Sequence, residues 1–263
     1  MITLHNISNY LQWQLHARTK QGHRVHSPFL FSLITNRLHK PMPIELLTPI
    51  KEYRHRLLAD KKTLKITDLG SGSAFSKNSE RRICDIARHS STSAHDGLLL
   101  YNLATAMQCR NILELGTNLG LGTLYLAQAA AGGKVVTIEG CPNLSAKVAQ
   151  EFEQQGFNNI KIINSDFADF LPNIGLEFQS LDFVFFDGNH RGAATTSYFE
   201  QCLPLAHNNS VFVFDDIHKN ADMELAWRKI TENERVTLSV DFYRMGVIFF
   251  RRQLSKQTIC LRY

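Results

Sequence analysis

Asn111–Ala127, NILELGTNLGLGTLYLA, is the stretch that decides the fold. An apolar run that carries Glu114 leads into a turn, and helix-forming residues follow it. The turn contains three glycines, Gly116, Gly120 and Gly122. Because glycine has no Cβ atom, a strand, turn and helix of this kind let a ligand approach the backbone N–H groups at the start of the helix. The stretch therefore predicts a site for a nucleotide-like cofactor.

Strand and helix patterns alternate regularly after residue 110. The predicted strands are Ile112–Leu115, Lys134–Glu139, Ile160–Asn164, Leu181–Asp187 and Val211–Asp215. The predicted helices between them are Leu121–Ala131, Pro142–Gly156, Ala193–Leu205 and Asp222–Thr231. Two further strands, Arg235–Phe242 and Met245–Arg251, lie so close in sequence that they must pair antiparallel. The pattern predicts an α/β fold with a Rossmann-like sheet of seven mostly parallel strands and one antiparallel strand near the edge.

The N-terminal part differs from the rest in charge. Residues 1–95 hold 15 Lys and Arg against 6 Asp and Glu, a net charge of +9, whereas residues 96–263 hold 14 against 18, a net charge of −4. Helical spacing of apolar residues predicts helices over Asn9–Ala17, Phe29–Leu38, Ile44–Ala59, Arg81–Ala87 and Gly97–Met107. We therefore expect a basic, mainly helical extension over 1–95 and a catalytic domain over 96–263. A basic segment suits a nucleic acid, an anionic substrate or a membrane surface, or is simply a solvated face.

Composition is that of an ordinary globular chain of 263 residues, 44% hydrophobic and 20% charged. There is no apolar run of about 18 residues and no secretory leader pattern, so we expect a cytoplasmic protein without a membrane span. The five cysteines are scattered and form no C-x-x-C pair, which argues against a disulfide framework and against a zinc site.

Two N-terminal stretches imitate functional motifs. Leu64–Ser73, LKITDLGSGS, resembles a cofactor turn, but a polar segment follows it and no acidic strand end comes about 20 residues later. We interpret it as a supporting turn. The stretch RTKQGHRVHSP carries His23 and His26 without neighbouring carboxylates or cysteines, so it does not predict a metal site.

Five segments in a fixed order carry a resemblance to a known family: ILELGTNLG, VVTIEG, IINSDF, DFVFFDGNH and VFVFDD. Together they resemble the class I S-adenosylmethionine-dependent methyltransferases, and among these the small-molecule O-methyltransferases of the catechol and caffeoyl-CoA type. The resemblance covers about residues 96–251. Asn118 stands where most methyltransferases have a glycine, a departure that is usual in the catechol-type group.

The cofactor-binding residues are predicted from side-chain chemistry and from the family resemblance together. Glu139 ends the second strand 23 residues after Gly116, where an acid can accept hydrogen bonds from both ribose hydroxyls. Glu114 lies inside an apolar strand and needs donors or a cationic ligand group, since an unpaired buried carboxylate is costly. The resemblance implies that Glu114 helps hold the aminoacyl end of S-adenosylmethionine. The predicted cofactor-binding residues of the turn itself are Gly116, Thr117 and Gly120.

The adenine edge is assigned to Asp166 and Phe167, which follow the third strand. By resemblance, Asp166 would accept from the exocyclic amine and Phe167 would form a wall of the site. Asp166 is equally suited to cap a helix N-terminus, so both roles stay open.

Carboxylates end the fourth and fifth strands, Asp187 in FFDGNH and the pair Asp215 and Asp216 in VFDDIH. Strand ends of a parallel sheet share one edge, so the three can converge. Close carboxylates repel unless a cation or proton is shared, and oxygen ligands suit Mg²⁺ or another divalent cation. The resembled enzymes have Asn where this chain has Asp216, which leaves metal binding and the metal's identity open.

His190 falls three residues after Asp187, where catechol-type enzymes carry a lysine base. An imidazole can take the proton of an acceptor hydroxyl during methyl transfer, so His190 and Asp187 are the predicted catalytic residues. His218 is a second candidate, as ligand or base.

Several alternatives remain. A dinucleotide dehydrogenase is disfavoured, because the glycines fall as G-x-x-x-G-x-G and its fingerprint is G-x-G-x-x-G. The predicted partner is a small hydroxylated acceptor, while a methyltransferase of RNA or another polyanion, or a non-catalytic scaffold protein that binds the cofactor, stays open. The sequence also leaves assembly as a homodimer open.

Overall fold

The computed structural model describes residues 4–17, 25–67 and 79–263. The first part of the chain is mainly helical, as predicted. A π-helical turn, Ile34–Leu38, continues the second helix. The elements are α1 (Leu4–His16), α2 (Pro28–Leu33), α3 (Ile44–Ala59), β1 (Thr63–Lys65), β2 (Glu80–Arg82), α4 (Ile83–His89) and α5 (Ala94–Ala106).

The helix predicted over Arg81–Ala87 begins later, at Ile83. Residues 80–82 instead form β2, which pairs antiparallel with β1 and places Arg81 opposite Leu64. Helical spacing over so short a stretch cannot reveal that a partner strand is available, and this is why the start was wrong. The Asp68–Gly72 turn and most of the stretch RTKQGHRVHSP, including His23, lie outside the described residues.

The central sheet has eight strands. They are β3 (Asn111–Leu115), β4 (Lys134–Glu139), β5 (Ile160–Asn164), β6 (Leu181–Phe186), β7 (Ala206–Phe214), β8 (Leu238–Asp241), β9 (Gly246–Phe249) and β10 (Gln257–Cys260), and their spatial order is β10-β8-β9-β7-β6-β3-β4-β5. Strands β3 to β7 are parallel, and β9 is antiparallel to both β7 and β8. The predicted Rossmann-like α/β fold is confirmed.

The count of seven strands was one too low. Gln257–Cys260 pairs in parallel with Leu238–Asp241 and extends the edge of the sheet. This four-residue run has no clear alternation of apolar and polar residues, so the sequence did not indicate a strand there.

Helices cover both faces of the sheet. They are α6 (Leu121–Ala129), α7 (Pro142–Gln154), α8 (Phe167–Phe170), α9 (Gly192–Cys202) and α10 (Ala221–Glu232), with 3₁₀ turns over Leu171–Leu176 and Leu203–Leu205. α6 ends two residues before its predicted end, because the chain turns through Gly132 at φ +72° and Gly133 packs against the Arg110 backbone. The α9 segment was predicted as one helix to Leu205, but its last turn is 3₁₀.

Alternate strand residues feed hydrophobic cores on opposite faces. Phe183 and Phe185 belong to one core and Val184 and Phe186 to the other, as the pleat of a strand buried on both sides requires. Residues before position 96 share these cores: Ile34 packs into the same cluster as Phe183. The second helix and its π-helical turn thus pack against the sheet, while the boundary after residue 95 stays a prediction. Within the described ranges, no helix is both long and apolar enough to cross a membrane.

Candidate active site

Strand register brings the predicted site residues to one edge of the sheet. Leu115 is paired with Ile138 on one side and with Phe186 on the other, and Phe186 is paired with Phe214. The residues that follow these strand ends are therefore neighbours. They are Gly116, Glu139, Asp187 and Asp215.

The glycine turn lies directly against the end of β6. Gly116 has φ +113°, and a Cβ atom there would lie 2.3 Å from the backbone oxygen of Asp187. Gly120, at φ +76°, is the N-cap residue of α6. These two glycines are required because the backbone takes positive φ angles and because two strand ends meet closely. The glycine turn is thus in contact with Asp187, the acidic residue that follows β6.

Glu139 ties the turn to β4. Its Oε2 accepts a hydrogen bond from the Asn118 backbone N–H at 2.8 Å, and its Oε1 accepts one from the Cys141 backbone N–H at 2.8 Å. The side chain is half-buried, and each carboxylate oxygen has a second lone pair. Glu139 is therefore fixed in place beside the turn, and its role toward ribose hydroxyls stays a prediction.

Glu114 is fully enclosed, with 1% of its surface exposed. Its Oε2 accepts from the hydroxyls of Thr123 and Thr137, and the Thr117 hydroxyl lies 2.6 Å from that of Thr137. Burial raises the pKa of Glu114 to about 7. Its Oε1 is buried without a hydrogen-bond partner in the described chain, so the site holds one unused acceptor.

Asp166 is the N-cap of α8, where its Oδ1 accepts from the Ala168 backbone N–H at 2.9 Å. The capping alternative weighed from the sequence is thus present, and a role toward adenine stays a prediction. Phe167 packs edge-on against Tyr198 and closely against Gly188, where a Cβ atom would lie 2.6 Å from the Phe167 ring. The two residues stand at the same sheet edge as the glycine turn, since Gly188 follows β6.

His190 lies between two of the predicted carboxylates. Its Nε2 is 4.0 Å from Asp187 Oδ1, and its Nδ1 is 3.9 Å from Asp216 Oδ2. These separations are longer than hydrogen bonds, so the ring is flanked by the carboxylates and not tied to them. The structure therefore brings together His190, Asp187 and Asp216, and their catalytic and metal-binding roles stay predictions.

Left-handed backbone marks the loops that carry these groups. Non-glycine residues with positive φ include Asn118, Asn189, His190 and Asp216. Such conformations are uncommon for L-residues and are found preferentially at functional sites, where the surroundings hold them in place.

Burial sets the protonation of the pair Asp187 and His190. Burial, with the nearby charge of Asp215, raises the pKa of Asp187 well above its usual range. Burial lowers the pKa of His190 in spite of the opposing effect of Asp216. At neutral pH the imidazole is therefore neutral, the form that can accept a proton.

His218 does not join this group. Its Nε2 is 2.8 Å from Asp241 Oδ2, its Nδ1 is 3.3 Å from Glu224 Oε1, and its ring stacks on Tyr243. Although burial opposes it, these two carboxylates raise the pKa of His218. Because carboxylates engage both of its ring nitrogens, His218 is poorly placed to take a proton from a substrate.

Cations already occupy two of the three predicted metal-binding carboxylates. Arg244 pairs with both oxygens of Asp215, and Lys219 Nζ lies 3.2 Å from Asp216 Oδ2. Across the part of the chain that the structure describes, no three His, Cys, Asp or Glu side chains are grouped as a metal ion requires. The residues as arranged do not fit a divalent cation, and the metal site stays a prediction.

Sequence reasoning missed several residues of this site. Thr123 and Thr137 satisfy Glu114, Gly188 makes room for Phe167, and Arg244 holds Asp215. Gly188 has a visible signal, since it directly follows Asp187. Arg244 has only a weak one, its place in the short FYRMG turn between β8 and β9.

Known proteins are similar to this chain in sequence. A family model described as a methyltransferase domain matches residues 113–217. A catechol O-methyltransferase of Niastella koreensis is 30% identical over 130 residues, which are 48% of this chain and 58% of that protein. A tRNA1(Val) (adenine(37)-N6)-methyltransferase of Haemophilus influenzae is 27% identical over 151 residues, 56% of this chain and 60% of that protein. The chain thus spans little more than half the length of these curated relatives.

A solved structure agrees with the sequence relatives. The O-methyltransferase TomG of Streptomyces achromogenes, in complex with S-adenosylmethionine, is 25% identical and superposes with a TM-score of 0.54, covering 62% of this chain and 82% of that one. The chain has the fold of the class I S-adenosylmethionine-dependent methyltransferases, and the resemblance to that class predicted from its sequence is confirmed.

Proposed function

We propose that this protein transfers the methyl group of S-adenosylmethionine to a hydroxyl group of a small molecule. One observation carries the proposal: the glycine turn at Gly116 lies against the backbone of Asp187, the residue that begins the His190 loop. A methyl donor bound at the turn would lie beside a neutral imidazole. The methyltransferase relatives support the same reaction class.

The residues present fit S-adenosylmethionine. Glu139 stands at the end of β4 beside the turn, where a carboxylate would accept from ribose hydroxyls, Oε1 of Glu114 is a buried acceptor without a partner among the described residues, and Phe167 packs against Gly188. When bound, this cofactor supplies an electrophilic methyl group on a sulfonium. Gly116 and Gly120 would admit it to the backbone of the turn, and Thr117, whose hydroxyl is hydrogen-bonded to that of Thr137, would contribute its backbone there.

His190 is assigned as the base for the acceptor. The proton of the acceptor hydroxyl passes to a ring nitrogen of His190, and the Asp216 carboxylate stabilises the imidazolium that forms, while Asp187 borders the other side of the ring. In-line methyl transfer depends chiefly on the alignment of nucleophile, methyl carbon and sulfur, so the loops that position these side chains matter as much as their chemistry. No step of this proposal uses a metal ion.

A second candidate is methyl transfer to RNA. Two observations favour it: the net charge of +9 over residues 1–95 and the similarity to a tRNA methyltransferase. A polyanion held by that segment would bind less tightly as salt is added.

Cytoplasmic location and homodimer formation also stay predictions.

Methyl transfer from tritiated S-adenosylmethionine tests the proposal. The purified protein is incubated with dihydroxybenzoate, with other small phenols and alcohols, or with unmodified tRNA, each over a series of NaCl concentrations. We expect label in a small acceptor and a weak dependence on salt. Label in tRNA that falls steeply with salt would favour the second candidate. Binding of the cofactor without transfer to any acceptor would favour a scaffold protein.

A further inference from the structure

Arg244 connects two distant parts of the chain. One is the acidic edge of the sheet, formed by Asp187, Asp215 and Asp216, and the other is the start of α5. Arg244 lies in the turn between β8 and β9, with Nε 3.1 Å from Asp215 Oδ1 and Nη2 3.2 Å from Asp215 Oδ2. Its third nitrogen, Nη1, is 3.4 Å from Asp96 Oδ2 at the start of α5. A guanidinium that engages both oxygens of one carboxylate fixes its position and its orientation.

Both ends of this bridge are themselves anchored. Asp96 Oδ2 accepts a hydrogen bond of 2.7 Å from the Ser93 hydroxyl, and Ser93 caps α5. The Arg244 carbonyl accepts from the Ile217 backbone N–H, two residues after Asp215. The arginine is thus held by its main chain and by its side chain, and Asp215, which is 3% exposed, has both oxygens engaged.

Charge at this edge is balanced by the chain's own cations. The carboxylates of Asp187, Asp215 and Asp216 would repel one another, but Arg244 pairs with Asp215 and Lys219 with Asp216. The family resemblance implies a neutral Asn at position 216, with a divalent cation between the ligands. Here the additional carboxylate is accompanied by an additional cation. A divalent ion bound to Asp215 would lie beside the Arg244 guanidinium, and the two positive charges would repel each other.

We propose that Arg244 takes the place of the divalent cation implied by the family resemblance. It acts as a positioning residue that fixes the orientation of Asp215 and offsets the negative charge of the acidic edge. The inference rests on the proposed methyl transfer for its activity readout. Its second readout, metal binding, does not depend on that reaction.

Metal binding is measured first, by electron paramagnetic resonance of Mn²⁺ added to chelator-treated protein. We expect that the wild type does not bind Mn²⁺, so the spectrum remains that of the free ion. Arg244→Gln frees the oxygens of Asp215 and is expected to gain Mn²⁺ binding. Arg244→Lys retains a positive charge and should gain less. Arg228→Gln, which removes one charge from an exposed position on α10, should behave as the wild type.

Turnover is measured next with tritiated S-adenosylmethionine and dihydroxybenzoate, or whichever small acceptor is labelled best. Wild-type turnover should be the same in EDTA and in added Mg²⁺. Arg244→Gln should lose roughly 10- to 100-fold in kcat, the usual cost of removing a residue that orients a functional group, and Mn²⁺ should restore part of it. The kcat of Arg244→Lys should lie between that of the wild type and that of Arg244→Gln. Thermal unfolding checks that each variant is folded, and Arg244→Lys carries the test if Arg244→Gln is not.

Opposite results would overturn the inference. They are tight Mn²⁺ binding by the wild type together with loss of its turnover in EDTA, or an Arg244→Gln variant that matches Arg228→Gln in turnover and in Mn²⁺ binding. Failure of the proposed function looks different, since the wild type would then label no acceptor with or without metal. In that event the Mn²⁺ comparison alone decides the role of Arg244.

Discussion

His190 Nε2 lies 4.0 Å from Asp187 Oδ1 on a loop where His190 itself has a left-handed backbone, φ +45°. The imidazole is held beside the carboxylate without a hydrogen bond to it, so a ring nitrogen is left for a substrate hydroxyl. Burial keeps the pKa of His190 low and the ring neutral. This relationship is the basis of the catalytic assignment.

Replacing the base should slow turnover and spare cofactor binding. We expect His190→Gln to lower kcat roughly 100- to 10,000-fold, the range that general-base catalysis contributes, because glutamine cannot accept the proton. Initial rates of methyl transfer and calorimetric titration with S-adenosylhomocysteine measure the two effects separately. His26→Gln, at an exposed position, is the control. Unchanged kcat in His190→Gln would remove His190 from the mechanism.

Glu139 should matter for binding. In Glu139→Gln one carboxylate oxygen becomes an amide nitrogen, so hydrogen bonds to a charged acceptor are lost. S-adenosylhomocysteine should bind roughly 10- to 100-fold more weakly by calorimetry. Glu153→Gln, exposed on α7, should bind as the wild type does. Equal affinities in the two variants would contradict the ribose assignment.

Stability should depend on pH through Glu114. The pKa of its carboxyl is raised from 4.5 to about 7 in the folded protein, so the folded state retains a proton that the unfolded state has lost. The contribution to the free energy of unfolding is fully present below about pH 4.5 and is lost as the pH rises through about 7.

Glu114→Gln has no such titration. The free energy of unfolding of the wild type, relative to that of Glu114→Gln, should fall by up to about 3 kcal/mol between about pH 4.5 and about pH 7. Urea unfolding of both proteins across this range is the measurement. A difference that is constant with pH would show that Glu114 titrates normally.

Gly188 should be required for the wall formed by Phe167. Gly188→Ala would bring a Cβ atom to 2.6 Å from the Phe167 ring, which also packs edge-on against Tyr198. We expect a loss of about 1–3 kcal/mol in stability and weaker binding of S-adenosylhomocysteine. The matched change is Gly175→Ala, where nothing lies within 4 Å of the added atom. If both changes leave affinity equal, Phe167 does not line the cofactor site.

The sequence predicted those parts of the site that depend on strand ends. Gly116, Glu139, Asp187 and Asp215 follow parallel strands, and the register of a parallel sheet brings such residues together whatever their loops do. His190 could be placed because it is three residues from Asp187.

Contacts between distant segments could not be predicted in this way. Arg244 reaches Asp215 across 29 residues of chain, and Asp96 lies farther away still. No periodicity or motif encodes such a pairing, so the sequence did not reveal that Arg244 pairs with Asp215. β10 was missed for a similar reason, since its strand character comes from pairing with β8.

A crystal structure with S-adenosylhomocysteine tests the central claim most directly, because it asks whether the donor turn and the acidic edge form one active site. The account predicts ribose hydroxyls on Glu139 and a sulfur atom that faces the side of the crevice holding His190 and Asp187. A ligand bound elsewhere, or a sulfur atom turned away from His190, would contradict it.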